Sequence, residues 1–157
     1  MQKNKPFLIE PPRPDELPEM LALLAANDLP TDGVEALLDW AVVARSATGL
    51  AGMAAVEPCD GDALLRSVAV AARYRGAGLG HQLTVAAQER ARRAGFQNLY
   101  LLTTTAAGFF AERGFRIIVR SDVPLGVQAS AEFSQLCPAS ATVMTRPLQD
   151  KPGRREG

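Results

Sequence analysis

The stretch Val68-Ala69-Val70-Ala71-Ala72-Arg73-Tyr74-Arg75-Gly76-Ala77-Gly78-Leu79-Gly80 constrains this chain more than any other. It reads as an apolar strand that ends in a glycine-rich turn and passes at once into a helix. The first amides of a helix lack intrahelical partners and carry a partial positive charge, which suits a phosphate group. Glycines there remove the Cβ atoms that would hold a pyrophosphate away from those amides. Arg73 and Arg75 add local positive charge. The bland alternative is a strand-to-helix turn with no ligand. Leu79-Gly80-His81 lacks the Lys-Ser/Thr of a Walker loop. The dinucleotide fingerprint fits poorly, because a hairpin rather than a βαβ unit supplies the strand.

That local charge matters because the chain as a whole has none to spare. Lysines and arginines number 17, as do aspartates and glutamates, so the formal charge is zero. Nothing in this balance marks a general binder of nucleic acid or of an anionic membrane surface. No apolar run is long enough to span a bilayer, and the first 14 residues hold no continuous apolar stretch of a secretory signal. Cys59 and Cys137 have no metal-type spacing, and His81 alone cannot build a zinc site, so no metal is expected. A reduced cytoplasmic location is the simplest expectation.

The 157 residues suit one compact domain. We place it at residues 1–148, with residues 149–157 as a flexible tail. Phe7-Leu8-Ile9 opens a strand that Pro11-Pro12 closes. A helix capped by Asp15 follows, with Leu17, Met20, Leu21 and Leu24 on one stripe, then a short helix over Val34 to Leu38. Trp40 to Ala44, Leu50 to Glu57 and Leu64 to Val70 read as three strands, joined by turns at Ser46 to Gly49 and Pro58 to Asp62. The strongest helical pattern covers Leu79 to Ala94, with Arg90, Arg92 and Arg93 at its C-terminal end and Gly95 as its cap. Leu99 to Thr103 is a strand, Ala107 to Arg113 a helix, and Phe115 to Val119 a strand. Val127 to Gln135 is helical, and Ala141 to Thr145 is the last strand. Antiparallel strands followed by helices predict an α+β fold: a mixed, mostly antiparallel sheet with helices on both faces.

Two motifs in the right order make the chain resemble the GNAT superfamily of N-acetyltransferases. Arg73-Tyr74-Arg75-Gly76-Ala77-Gly78 matches that family's Arg/Gln-x-x-Gly-x-Gly/Ala pyrophosphate loop, and Phe110-Ala111-Glu112-Arg113-Gly114-Phe115 matches its aromatic-x-x-x-Gly-Phe segment. Leu64 to Val70, Leu101 to Phe110 and Phe133 to Ala141 look like the arsenic-resistance N-acetyltransferases. Those are similar in turn to the acetyltransferase domain of N-acetylglutamate synthase. The resemblance implies acetyl-CoA as co-substrate and, as acceptor, the amine of a small molecule, expected to be an amino acid or a glutamate-like arsenical of the arsenic-detoxification type. A protein acetyltransferase and a non-catalytic acyl-CoA sensor remain alternatives.

The same resemblance assigns residues. Backbone of Val68, Ala69 and Val70 would hold the pantetheine arm and polarise the thioester carbonyl. Arg73, Arg75, Gly76, Ala77, Gly78, Leu79 and Gly80 would hold the pyrophosphate, with Thr105, Phe110 and Arg113 completing the cofactor set. Many relatives place a tyrosine acid where Phe110 stands and a glutamate base where Arg66 and Ser67 stand, so no catalytic side chain is assigned. Glu57, or a water held by Thr103 or Thr104, are the open choices for a base. Arg66 interrupts an apolar strand, where a guanidinium is costly unless paired. It either grips a substrate carboxylate with its planar fork or pairs with Glu57 or Asp62. Arg66, Ser67, Thr103, Thr104 and Ser140 form the expected substrate set. Ser140 serves equally as a strand-start cap, and Cys137 reads by default as an inert buried thiol.

Overall fold

The computed structural model describes residues 7–136 and 139–149. Cys137, Pro138 and the two ends, residues 1–6 and 150–157, lie outside the described residues. Among the described residues, seven strands form one mixed sheet: β1 (Ile9–Glu10), β2 (Ala41–Ser46), β3 (Gly49–Cys59), β4 (Asp62–Val70), β5 (Asn98–Thr103), β6 (Arg116–Ile117) and β7 (Thr142–Pro147), in the order β1-β2-β3-β4-β5-β7-β6. β4 and β5 are parallel, while β1–β2, β2–β3, β5–β7 and β6–β7 are antiparallel. The α-helices are α1 (Leu17–Ala26), α2 (Leu79–Arg93), α3 (Ala107–Ala111) and α4 (Leu125–Gln128). This is the α+β fold expected from the sequence.

The chain resolves into two compact units, the first made of residues up to Val56 with Arg66–Ala87, the second of Glu57–Leu65 with the residues from Gln88 onward. In the first unit, Met20, Leu23 and Leu24 of α1 pack with Val34, Leu37, Val43 and Met53 in a closed apolar cluster. Leu24 and Met53 have no exposed surface, and each such side chain contributes roughly 2 kcal/mol by leaving water. Gly52 lets α2 lie close on β3. A Cβ there would come within 2.7 Å of Leu83 Cδ1 and 2.9 Å of the Ala69 carbonyl. α2 thus sits hard against the strands whose ends form the glycine turn.

The entry to α1 differs from expectation. Asp15 lies exposed within a 3₁₀ turn, Pro14–Glu16, and makes no cap. Glu16, buried, closes that turn rather than capping α1: its Oε1 accepts from the Arg13 amide at 2.7 Å. Its carboxylate also receives Nε and Nη2 of Arg45, both at 2.8 Å. Arg45 donates further to Glu10 and to the Pro11 carbonyl, so one guanidinium ties β2 to the whole N-terminal turn. The paired Arg45 holds Glu16 down at about 2 from an ordinary 4.5.

In the second unit, Cys59, Leu64, Tyr100, Val123, Val127 and Val143 form the core. Asp62 Oδ1 accepts from the Asn98 amide at 3.0 Å, registering β4 on β5, and Thr145 Oγ1 donates to the Leu99 carbonyl at 3.0 Å. Several element boundaries move. The expected turn over Pro58 to Asp62 shrinks to Asp60-Gly61, with Asp60 at φ 61°. The Phe115 to Val119 strand is regular only at Arg116–Ile117, although the Ile118 amide still bonds the Val143 carbonyl. The helix expected over Val127 to Gln135 splits into α4 and a π-helical turn, Glu132–Leu136. Gln149, expected to begin the tail, donates to the carbonyls of Arg92 and Phe96.

Candidate active site

β4 delivers the chain to the glycine turn. The Ala71 amide bonds the Ala51 carbonyl at 2.8 Å, so the strand stays paired to its last residue. A single 3₁₀ turn, Ala72–Tyr74, then carries the chain to Gly76 and Gly78. These two glycines hold φ of 87° and 85°, a left-handed backbone that residues with a Cβ enter only with strain. A Cβ built on either meets no atom within 4 Å, so the turn opens a bare backbone surface. α2 begins immediately, and its first bond runs from the Gln82 amide to the Gly78 carbonyl. The amides of Leu79, Gly80 and His81 therefore lie ahead of the helical ladder, where a helix 15 residues long concentrates its positive end. Strand end, open glycine turn and helix start together form an arrangement of the kind that suits an anion.

The flanks of this turn are held firmly. Arg75 donates from Nε to the Val70 carbonyl at 3.2 Å and from Nη2 to Asn27 Oδ1 at 2.7 Å. The Tyr74 hydroxyl bonds Ser46 and Thr48, which lowers its pKa, and its ring meets Phe7 edge-on at 5.2 Å. The exposed Arg73 lies 5.6 Å from the Tyr74 ring. Ala77 is exposed, Leu79 fully buried and Gly80 between the two.

The middle of β4 holds Arg66 and Ser67, both buried. Arg66 donates from Nη2 to the Asp32 carbonyl at 2.8 Å and from Nε to Ser67 Oγ at 3.2 Å. Ser67 has φ 62°, a left-handed residue inside a strand. Such a residue breaks the even alternation of side chains and re-aims its neighbours. The run Ala63 to Ser67 is buried throughout, so both faces of β4 are covered there. Beyond it, Val68 and Val70 are half-buried and Ala69 is buried.

The remaining candidates lie in the second unit and are largely engaged locally. Thr103 Oγ1 accepts from the Ala106 amide at 2.9 Å, closing the turn before α3. Thr104 and Thr105 are exposed on that turn. Phe110 is buried and meets Phe109 and Phe115 edge-on at 5.0 and 5.7 Å, which is core packing. Arg113 lies 3.7 Å over the Phe109 ring and donates to the Phe109 carbonyl at 2.7 Å. Ser140 is exposed in a turn before β7, and Glu57 is half-buried on β3. Cys59 sits buried, and burial with the acidic Glu57, Asp60 and Asp62 nearby pushes its thiol up to about 12. It is no nucleophile near neutral pH. Among the described residues no cluster of histidine, cysteine and carboxylate side chains is arranged for a metal ion. No helix among them is long and apolar enough to cross a membrane.

Sequence reasoning did not single out Asn27, which meets Arg75, or Asp32, whose carbonyl meets Arg66, and although it named Ser67 it did not show that its backbone is left-handed. That conformation left no signal, since serine is unexceptional in a strand. Asn27, just beyond the last turn of α1, could have been read as a helix stop, but its partner lies 48 residues away.

Residues 39–117, about half of the chain, match the acetyltransferase (GNAT) domain family. The chain belongs to the GNAT family of N-acetyltransferases. It is 32% identical over 120 residues to an amino-acid acetyltransferase of Mannheimia succiniciproducens, covering 76% of this chain and 26% of that one. The fold is similar to that of N-acetylglutamate synthase from Neisseria gonorrhoeae, complexed with coenzyme A and N-acetyl-glutamate. The TM-score is 0.77 at 20% identity, over 91% of this chain and 35% of that one. It is similar as well to a Mycobacterium tuberculosis protein in complex with CoA, with TM-score 0.73 at 21% identity, over 90% of this chain and 99% of that one. The chain thus spans about a quarter, or less, of the curated amino-acid acetyltransferases it matches.

Proposed function

We propose that this chain transfers the acetyl group of acetyl-CoA to the amine of an amino acid or a glutamate-like analogue, arsinic analogues of glutamate included, in the cytoplasm, with residues 1–148 acting as one catalytic domain. The observation that carries the cofactor half is the turn from Val70 to Leu79. It offers two left-handed glycines with open space at the Cβ position and a helix start directly behind them. The pyrophosphate of CoA is the anion this cradle suits, and main-chain groups of Val68 to Val70 are the proposed hold on the pantetheine. The acceptor half rests on Arg66, a buried guanidinium beside the buried Ser67 in the middle of the same strand. A carboxylate on the acceptor is a group that such a fork binds well.

Transfer needs a neutral amine, a polarised thioester carbonyl and a leaving thiolate. A fixed main-chain donor at the carbonyl oxygen is worth roughly 10²–10³ in rate. The thiol of CoA, with a pKa of about 8.5, can leave without an acid, which fits Phe110 standing where a hydroxyl is often found. Roles for Thr103, Thr104, Thr105, Arg113 and Ser140 rest on the family resemblance alone.

The test is thiol release from acetyl-CoA across a panel of amino acids, with glutamate and its arsinic analogue beside neutral and basic ones. Turnover with an acidic acceptor is the expected result. Tight CoA binding with no turnover on any amine would replace the enzyme by a sensor. Turnover confined to peptide amines would replace the small acceptor by a protein.

A further inference from the structure

We infer that Asn27, at the end of α1, is a positioning residue for the glycine turn, acting through Arg75. The inference rests on the reading of that turn as the CoA pyrophosphate cradle. Gly76 and Gly78 are the least constrained residues of the turn, and ordering such a backbone around a ligand takes conformational entropy from binding. Arg75 immediately precedes them. Its guanidinium reaches back to the Val70 carbonyl, the last residue of β4, and sideways to Asn27 Oδ1, so it clasps the start of the turn to both strand and helix.

Asn27 is itself oriented for this. Its Nδ2 donates to the Leu23 carbonyl at 2.9 Å, which turns Oδ1 outward as the acceptor, and its amide closes onto the Leu24 carbonyl at 3.0 Å. Asp28, at φ 59°, then ends the helix. The side-chain amide therefore works at both faces: it caps α1 with its nitrogen and holds Arg75 with its oxygen. With Arg75 so engaged, the cradle is prepared before the ligand arrives, which is how preorganisation raises affinity without a contact to the ligand.

Two variants and two acetyl donors separate positioning from general stability. Asn27→Leu removes the acceptor at similar size. Asn27→Asp keeps an acceptor for Arg75, gives up the bond to the Leu23 carbonyl and adds negative charge at the negative end of α1. With acetyl-CoA, Asn27→Leu is expected to raise the KM, and the Kd for CoA, about fivefold at unchanged kcat. Asn27→Asp should keep both near wild type while melting earlier. With S-acetylpantetheine, which lacks the pyrophosphate, Asn27→Leu should match wild type. An unchanged KM for acetyl-CoA in Asn27→Leu overturns the inference, as does a rise that is equal for both donors or that follows the melting temperature through both variants. If wild type itself binds no CoA, the reading of the cradle fails first and takes this inference with it.

Discussion

Arg66 is one residue on which two needs converge. A guanidinium that is 5% exposed requires partners, and the Asp32 carbonyl and Ser67 hydroxyl are two of them. A carboxylate from the proposed acceptor would be a further one. A charge-assisted bond of this kind is worth roughly 1.5–3 kcal/mol, or about 10- to 150-fold in affinity. Arg66→Met keeps most of the stem and removes the fork, so it should raise the KM for an acidic acceptor within that range and leave the KM for acetyl-CoA nearly unchanged. Arg66→Lys should recover part of the loss, because a point charge cannot make two parallel bonds. Steady-state kinetics on folded variants decide the matter. If Arg66→Met keeps its acceptor KM but melts earlier, the guanidinium serves only to hold the Asp32 segment. The sequence exposed Arg66 as an anomaly, a charge in an apolar run. It could not show which backbone meets the fork, because Asp32 lies 34 residues away.

At the scale of elements, the glycine turn and α2 act as one device, and the N-terminal turn as another. Gly78 holds φ 85° with open space where a Cβ would stand, so Gly78→Val meets no steric block within the protein. Its effects come from backbone strain, roughly 1–3 kcal/mol, and from a branched side chain set in the anion path. CoA affinity should fall at least tenfold by calorimetry, with the far-UV spectrum unchanged. Equal affinity in that folded variant would remove the turn from the site. The second device predicts a pH effect. Glu16 is depressed from 4.5 to about 2, chiefly by the hydrogen bond from Arg45. A carboxyl with a depressed folded pKa stabilises the native state fully above its unfolded value, and that contribution fades as pH falls through the folded one. Native stability should therefore decline between about pH 4.5 and 2 in wild type. Glu16→Gln should be less stable at neutral pH and show a shallower acid limb in urea titrations repeated across that range. A limb of equal steepness in both proteins would assign acid lability to other groups.

For the whole molecule, a ligand that binds only the native chain raises its stability by mass action. CoA at about 100 times its Kd contributes roughly 2.7 kcal/mol. For a chain of this size that corresponds to a melting temperature higher by about 5–10 °C, measured by calorimetry with and without ligand. Pantetheine at the same concentration should shift it far less, since it lacks the pyrophosphate. Equal shifts would place the main grip on the pantetheine arm. What the sequence by itself determined about this protein is everything that depends on neighbours along the chain. The glycine turn, the strand before it, the helix after it and the aromatic-Gly-Phe segment are local patterns, readable because φ, capping and periodicity act over a few residues. The α+β class followed from their order. What only the tertiary structure decided are the partnerships across the chain: Arg75 with Asn27, Arg66 with Asp32, Arg45 with Glu16, and Gly52 against Leu83. These depend on where folding brings distant segments, and one arginine looks much like another until its partner is in place. The short elements that packing trims, β6 and the split helix before β7, moved for the same reason, because a two-residue strand owes its existence to the strand beside it rather than to its own residues.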